Sequence, residues 1–194
     1  MRHGLNSEFL SPEELAEKGV PDAAARNILV HRTCVIVDFA RIRFGSNVRI
    51  DPYCIITCAE LHLGDFIHIA AGVSFTGRGV IRMADFSAIS NQSLIYSSND
   101  DYSGEYLTNP MVPERFTNVT SADISFGGHS LLGARCTVLP GADIAEGVSV
   151  GVGSLIKSRL EPWTIYAGVP AKALRDRSRR CLSLEKQLQA EADK

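Results

Sequence analysis

The sequence predicts an all-β fold, a parallel β-helix of stacked triangular coils, on three observations. A large apolar residue recurs at every sixth position from Phe126 through Leu132, Val138, Ile144 and Val150 to Ile156. Four residues after each comes Ser130, Cys136, Ala142, Val148, Ser154 or Leu160, mostly small side chains. The same period runs upstream with slips: Val30, Ile36, then Phe44, Ile50, Ile56, then Leu63, Ile69, Phe75, then Met83, Ile89, Ile95. Neither a helical repeat nor simple strand alternation produces such spacing. Six residues make one flat side with its corner, and about eighteen complete a coil. Large residues fill the inside of each side and small ones the narrow corners.

The elements follow in order. Residues 1–27 form a helical cap, because Ser11-Pro12-Glu13-Glu14 is a helix start with Ser11 capping and Glu14 reaching back. Leu15, Ala16 and Val20 then give the cap an apolar face. Residues 28–165 carry the coils, interrupted at 99–125 by a polar, proline-bearing stretch where the period vanishes. Long loops in compact folds tend to carry function. Residues 166–194 form a tail, helical from Ala171, with Leu174, Leu182, Leu184 and Leu188 on its apolar side. About six coils are expected, each adding about 4.8 Å.

Composition narrows the function classes. In a chain of 194 residues, 20 Lys and Arg stand against 22 Asp and Glu, which argues against a nucleic-acid binder. No apolar run approaches the roughly 20 residues of a membrane helix, and the first residues lack the apolar stretch of a signal peptide. A cytoplasmic protein without membrane insertion is expected. The five cysteines form no CxxC pair, and Cys34, Cys54 and Cys136 fall on corner positions, where they read as small core residues.

Gly151-Val152-Gly153-Ser154-Leu155-Ile156-Lys157 and Tyr166-Ala167-Gly168-Val169-Pro170-Ala171-Lys172, with the hexapeptides before them, resemble the hexapeptide-repeat acyltransferases. The resemblance implies a left-handed coil, a homotrimer with sites between subunits, and acetyl transfer from acetyl-CoA to a sugar or nucleotide sugar, with no metal. The interrupting loop and the extra coil before Leu139-Pro140-Gly141 are similar to the enzymes of surface-polysaccharide and O-antigen acetylation.

Acyl transfer needs a bound thioester, an acceptor that loses a proton, and donors for the developing oxyanion. Gly133 and Gly151, followed by Ala134 and Val152, lie one coil apart and would let a pantetheine arm approach the backbone. The resemblance adds Lys157 to these and puts Lys172 and Arg175 against the CoA phosphates, for which basic groups are suited. The histidine that opens the loop in many relatives is missing: the stretch here is Ser97-Ser98-Asn99-Asp100-Asp101-Tyr102. Another subgroup places its base where Ala59 stands, and carries a further histidine near the acetyl group that aligns with His68. His68 is therefore the candidate base or acetyl-positioning group, with Asp100 as its carboxylate partner or as base itself. Asp101, Tyr102, His62 and Arg82 are candidates for acceptor binding. Coil register collects Glu60, His62, Arg82 and Asn99 to Asp101 at one corner, while His68 belongs to the next, so a trimer is needed to join them.

An amine acceptor needs little help beyond losing a proton to water or to the departing thiolate, so the missing loop histidine favours an aminosugar. Two other readings stand beside this one. A γ-carbonic-anhydrase-like zinc enzyme needs three convergent imidazoles, and His62 and His68 sit on different corners. A non-catalytic assembly protein would use the prism only as a platform.

Overall fold

A computed structural model describes residues 8–192. Residues 1–7, with His3 and the opening of the expected 1–27 cap, and residues 193–194, the end of the expected 166–194 tail, lie outside the described residues. The coils form a parallel β-helix with three sides. The first side carries Ile28–Val30, Val48–Ile50, Ile67–Ile69, Ala88–Ile89, Leu131–Leu132, Ser149–Val150 and Thr164–Ala167. The second carries Val35–Ile36, Ile55–Ile56, Ser74–Thr76, Leu94–Tyr96, Thr137–Val138 and Leu155–Ile156. The third carries Ile42–Arg43, Glu60–Leu63, Val80–Met83, Ile124–Phe126 and Asp143–Ile144.

Each coil donates its backbone N–H groups to carbonyls of the next. On the second side Val35 N donates to Cys54 O at 2.8 Å, Ile55 N to Val73 O at 2.9 Å, and Leu94 N to Cys136 O at 2.8 Å. The expected interior is observed: Phe126, Leu132, Val138, Ile144, Val150 and Ile156 are each at most 2% exposed. Their small partners Ser130, Cys136, Ala142, Val148 and Ser154 are buried at the corners. Cys54, Cys58 and Cys136 are buried and unbridged, whereas Cys34 is only partly so. Burial pushes the Cys58 thiol up to about 11 and raises Cys136 as well. The neighbouring Cys34 thiol, together with burial, raises Cys54. These are poor nucleophiles, as core residues should be.

The slips in the period fall at the second corner, where the second side turns into the third, between Ile36 and Phe44, Ile56 and Leu63, and Phe75 and Met83. The third corner, where the chain passes from the third side to the next first side, keeps the six-residue step. Asn27, Asn47, Phe66, Phe86, His129, Gly147 and Trp163 occupy this corner in successive coils, all with φ between 52° and 68°. That left-handed conformation costs a side-chain-bearing residue about 1 kcal/mol or more. Ring stacking offsets the cost: Phe66 and Phe86 lie 4.6 Å apart at 6°, and Phe86 and His129 lie 5.1 Å apart at 6°.

The cap is a short helix, α1, Pro12–Glu17. Ser11 Oγ accepts from Glu14 N at 3.2 Å, and Glu14 Oε2 accepts from Ser11 N at 2.7 Å, the reciprocal pair expected. Leu15 and Val20 close the lower end of the core, but Ala16 is exposed. The tail departs from expectation. Lys172–Asp176 is an antiparallel strand on Thr164–Ala167, so the chain doubles back before a helix, α2, begins at Arg180 and runs to Ala192. The reversal is anchored by Arg177, whose Nη1 donates to the carbonyls of His129 at 2.6 Å and Gly147 at 3.0 Å. Arg177 thus ties the tail to the coils instead of facing solvent.

At the interruption the chain leaves the coil after Ser97. Ser98–Asn99 pairs antiparallel with Thr120–Ser121, and the coil resumes at the fully buried Ile124. Ser97 Oγ seals the gap, donating to Gly79 O at 3.0 Å and accepting from Gly79 N at 3.1 Å.

Phe75 is fully buried in the centre of the prism, so Phe75→Ala should cost about 3–5 kcal/mol. Urea unfolding of the purified protein should show this as a lower midpoint.

Candidate active site

The polar groups of the first side gather on its lower coils. Arg49 and His68 occupy paired positions on adjacent strands, and both point outward because strand alternation places Val48, Ile50, Ile67 and Ile69 inside. Asp51, at the turn beyond Arg49, joins them. Its Oδ1 accepts from Arg49 Nε at 2.7 Å, and its Oδ2 lies 2.8 Å from His68 Nε2. Burial pushes the Asp51 carboxyl up, but hydrogen bonds from His68 and Arg49 outweigh it and hold the carboxyl below its ordinary value. The cleft beside these groups has a volume of about 490 Å³ and is lined by Asn47, Arg49, Asp51, Phe66, Ile67 and His68.

Higher on the same side, Ala88 pairs with His68, and Ser90 follows at the first corner, where the first side turns into the second. Gly133, Ala134, Gly151 and Val152 continue that corner upward, as their spacing predicts. Gly133 N donates to Val150 O at 2.8 Å, and a Cβ at Gly133 would stand 2.7 Å from the same oxygen. Glycine is thus required there by the approach of the coil above. Lys172 and Arg175 are exposed on the last strand of the first side. Lys157 is exposed too, but it follows Leu155–Ile156 and sits at the second corner, apart from the other candidates within one chain.

The second corner and third side carry the remaining candidates. His62 and Arg82 are in register, and His62 Nε2 lies 2.7 Å from Glu60 Oε2. Above Arg82 stands Ser125, not the expected Asn99 to Asp101. Arg82 pairs instead with Asp123 at 2.8 Å, because the insertion swings the loop residues off the stack. Within the loop, Asp101 serves its own segment: Oδ1 accepts from Ser103 N at 2.8 Å and Oδ2 from Asn118 Nδ2 at 3.1 Å. Tyr102 is exposed, with its hydroxyl donating to Asn99 Oδ1 at 3.2 Å. The Asp100 carboxylate has no side-chain hydrogen bond among the described residues. The partner of His68 within one chain is Asp51 rather than Asp100, since the two candidate catalytic residues occupy different corners. Arg49 and Asp51 escaped sequence reasoning. The usable signal was the step from Arg49 to His68, which is one coil.

The histidines do not converge. His129 pairs with Glu185 at 2.9 Å and His31 with Thr33 at 2.9 Å, away from His62 and His68. Among the described residues no three His, Cys, Asp or Glu side chains are placed to hold a metal ion.

No protein-family profile matches the chain. It is 35% identical to the dTDP-4-amino-4,6-dideoxy-D-glucose acyltransferase of Escherichia coli, over 91% of this chain and 93% of that enzyme. The chain belongs to the hexapeptide-repeat sugar acyltransferases. This acyltransferase also superposes on AntD, an N-acyltransferase from Bacillus cereus crystallised with dTDP and coenzyme A, with a TM-score of 0.88, 32% identity, and coverage of 95% of this chain and 99% of AntD. A chain of Escherichia coli K12, WbbJ, named for lipopolysaccharide O-acetyl transfer, is 27% identical over 76% of this one and 78% of its own length. AntD was also crystallised with changes at one serine and at an aspartate ten positions later. In this acyltransferase Ser90, at the first corner, and Asp100, in the interruption, stand at that spacing.

The Asp51 contacts make a pH test. Because its folded pKa lies below the unfolded value, Asp51 contributes stability above the ordinary carboxylate range, and the contribution is lost as pH falls through the folded pKa. Thermal melts of wild type and Asp51→Asn should differ at pH 7 and converge in acid.

Proposed function

We propose that this enzyme transfers a short acyl group, acetyl in the simplest case, from a CoA thioester to the 4-amino group of a dTDP-linked 4-amino-dideoxyhexose. The observation that carries this reading is end-to-end similarity, above 30% identity, to two acyltransferases whose names or ligands include a dTDP-aminosugar or dTDP. The missing loop histidine agrees with it. An amine is nucleophilic once neutral, so its nitrogen attacks the thioester carbonyl carbon, the C–S bond breaks, and the amine proton passes to the departing thiolate. The products are an amide and free CoA. Ser90 and Asp100 then hold the amine and carbonyl in line rather than supply a strong base.

The site is completed by a neighbouring subunit. Outward positions of the second side run Val35, Ile55, Ser74, Leu94, Thr137 and Leu155, four of the six apolar, of which Val35 is 56% exposed and Ile55 42%. Exposed Val37 and Tyr53 extend it. A face of this kind seeks a partner, and three such faces meeting on an axis make a trimer. Each second side is flanked by the first and second corners. The first corner of one subunit, with Ser90, Gly133 and Gly151, thereby meets the second corner of the next, with Asp100, Asp101, Tyr102, His62, Arg82 and Lys157. CoA lies along the glycine corner with its phosphates at Lys172 and Arg175. The two proposed substrates, a CoA thioester and a nucleotide sugar, support a cytoplasmic location.

Thiol release from acetyl-CoA tests the reaction. Turnover is expected with dTDP-4-amino-4,6-dideoxyglucose and not with dTDP-glucose; the reverse result overturns the reading. Asp100→Ala should lower kcat at least tenfold. The Lys172→Ala, Arg175→Ala double variant should chiefly raise the KM for acetyl-CoA. Ile55→Asp should lower the mass seen by light scattering to that of a monomer and abolish activity with it.

A further inference from the structure

We infer that Cys34 and Cys54 are a redox-modification site, in which a peroxide oxidises Cys34 and Cys54 closes a disulfide across the two lowest coils. The pair stands on register. Val35 and Ile55 are Cα partners on the second side, and Val35 N donates to Cys54 O at 2.8 Å. The residues just before them, Cys34 and Cys54, therefore stack one above the other at the first corner, a strand spacing of about 4.8 Å apart. Disulfides span Cα separations of about 4.4–6.8 Å. Tyr53 N donates to Thr33 Oγ1 at 3.0 Å, so the register is held on the other side of the pair as well. The Cys34 thiol also reaches toward the coil that carries Cys54, where its Sγ donates to Asp51 O at 3.2 Å. Cys54 repeats the contact one level up, donating to Ala70 O at 3.2 Å.

No other cysteine has a sulfur stacked on it. Cys136 occupies the same corner, but Ser93 stands in register below it and Ser154 above. Cys58 lies at the second corner and Cys181 on α2. Corner packing asks only for a small side chain, and serine supplies it on both sides of Cys136, fully or almost fully buried. Packing alone does not account for thiols on two successive coils.

The two sulfurs have unequal roles. Cys34 is partly exposed, whereas Cys54 is fully buried. The neighbouring Cys54 thiol, the largest influence, holds Cys34 below its ordinary value, while Cys54 itself is raised. The thiolate is the form that attacks a peroxide, so the accessible member of the pair is also the reactive one. Cys34 Sγ takes one oxygen as the peroxide O–O bond breaks, giving a sulfenic acid and one water. Cys54 Sγ then attacks the Cys34 sulfur, the S–O bond breaks, and the Cys54 proton leaves with the hydroxyl as a second water. Two thiols and one hydrogen peroxide thus become one disulfide and two waters. The bridge ties coils that hydrogen bonds otherwise join, and it removes freedom chiefly from the unfolded chain.

Peroxide treatment of the full-length protein tests the assignment. After hydrogen peroxide, wild type unfolded with an alkylating reagent should show three free thiols in place of its five. Digestion should release a linked peptide pair joining Cys34 to Cys54, which dithiothreitol separates. The urea midpoint should rise on oxidation and return with dithiothreitol. Cys34→Ser and Cys54→Ser keep a small polar corner like Ser93 and Ser154, and each should abolish both the linked pair and the rise. Cys54→Ser should instead hold a sulfenic acid on Cys34 that dimedone traps, and Cys181→Ser should behave as wild type. Five free thiols in treated wild type, a bridge joining any other pair, or oxidation of Cys34 that stops at the sulfenic acid in wild type overturns the inference.

Discussion

Everything in this protein depends on one constraint: a coil's backbone hydrogen bonds are completed only by the coils above and below it. Stacked coils must then share one cross-section, and every inward side chain must fill the same triangle at each level. That is why Phe75, Ile95 and Val138 succeed one another on the second side with no exposure. It is also why the insertion after Ser97 is tolerated only where its gap can be closed. Ser97 Oγ bonds both backbone groups of Gly79, and Asp123 Oδ1 accepts from Val80 N at 2.9 Å, so the ladder is bridged by side chains where the backbone leaves it.

Because the interior is committed to packing, chemistry is confined to outward positions and corners, and the three sides have divided it. The second side is mostly apolar at its outward positions, with Val35 and Ile55 exposed. The third carries ion pairs, Arg82 with Asp123 and Arg159 with Asp143, each at 2.8 Å or less. The first side is ionic below, around Asp51, and small-featured above, where Gly133 and Gly151 let the chain be approached closely. Such a linear layout suits a reaction between two elongated substrates that enter from opposite ends of one groove.

The third corner shows how the fold holds its own strain. Four of the left-handed residues there, Phe66, Phe86, His129 and Trp163, are rings, and their stacking offsets what the backbone loses. The stack is also the platform on which α2 docks, through His129 and Glu185. Trp163 ends it at the top, 6.2 Å from His129, and Phe66 ends it below. One structural column thereby links the returning tail to the lower cleft.

The sequence by itself determined the prism, its interior and the start of its cap, because a six-residue period of large and small side chains has one economical solution. It also located the interruption and the glycine corner. The tail strand was hidden, since Lys172–Asp176 is exposed throughout and its pairing with Thr164–Ala167 leaves no burial pattern to read. Tertiary structure alone decided the partners of the charged groups. Asp51 lies seventeen residues before His68, yet the turn geometry places its carboxylate on that ring, while Asp100, the partner expected from sequence, emerges at another corner. Charged side chains on a coil surface obey no period, because solvent accepts any of them. Only the lateral stacking of turns of unequal length fixes which ones meet.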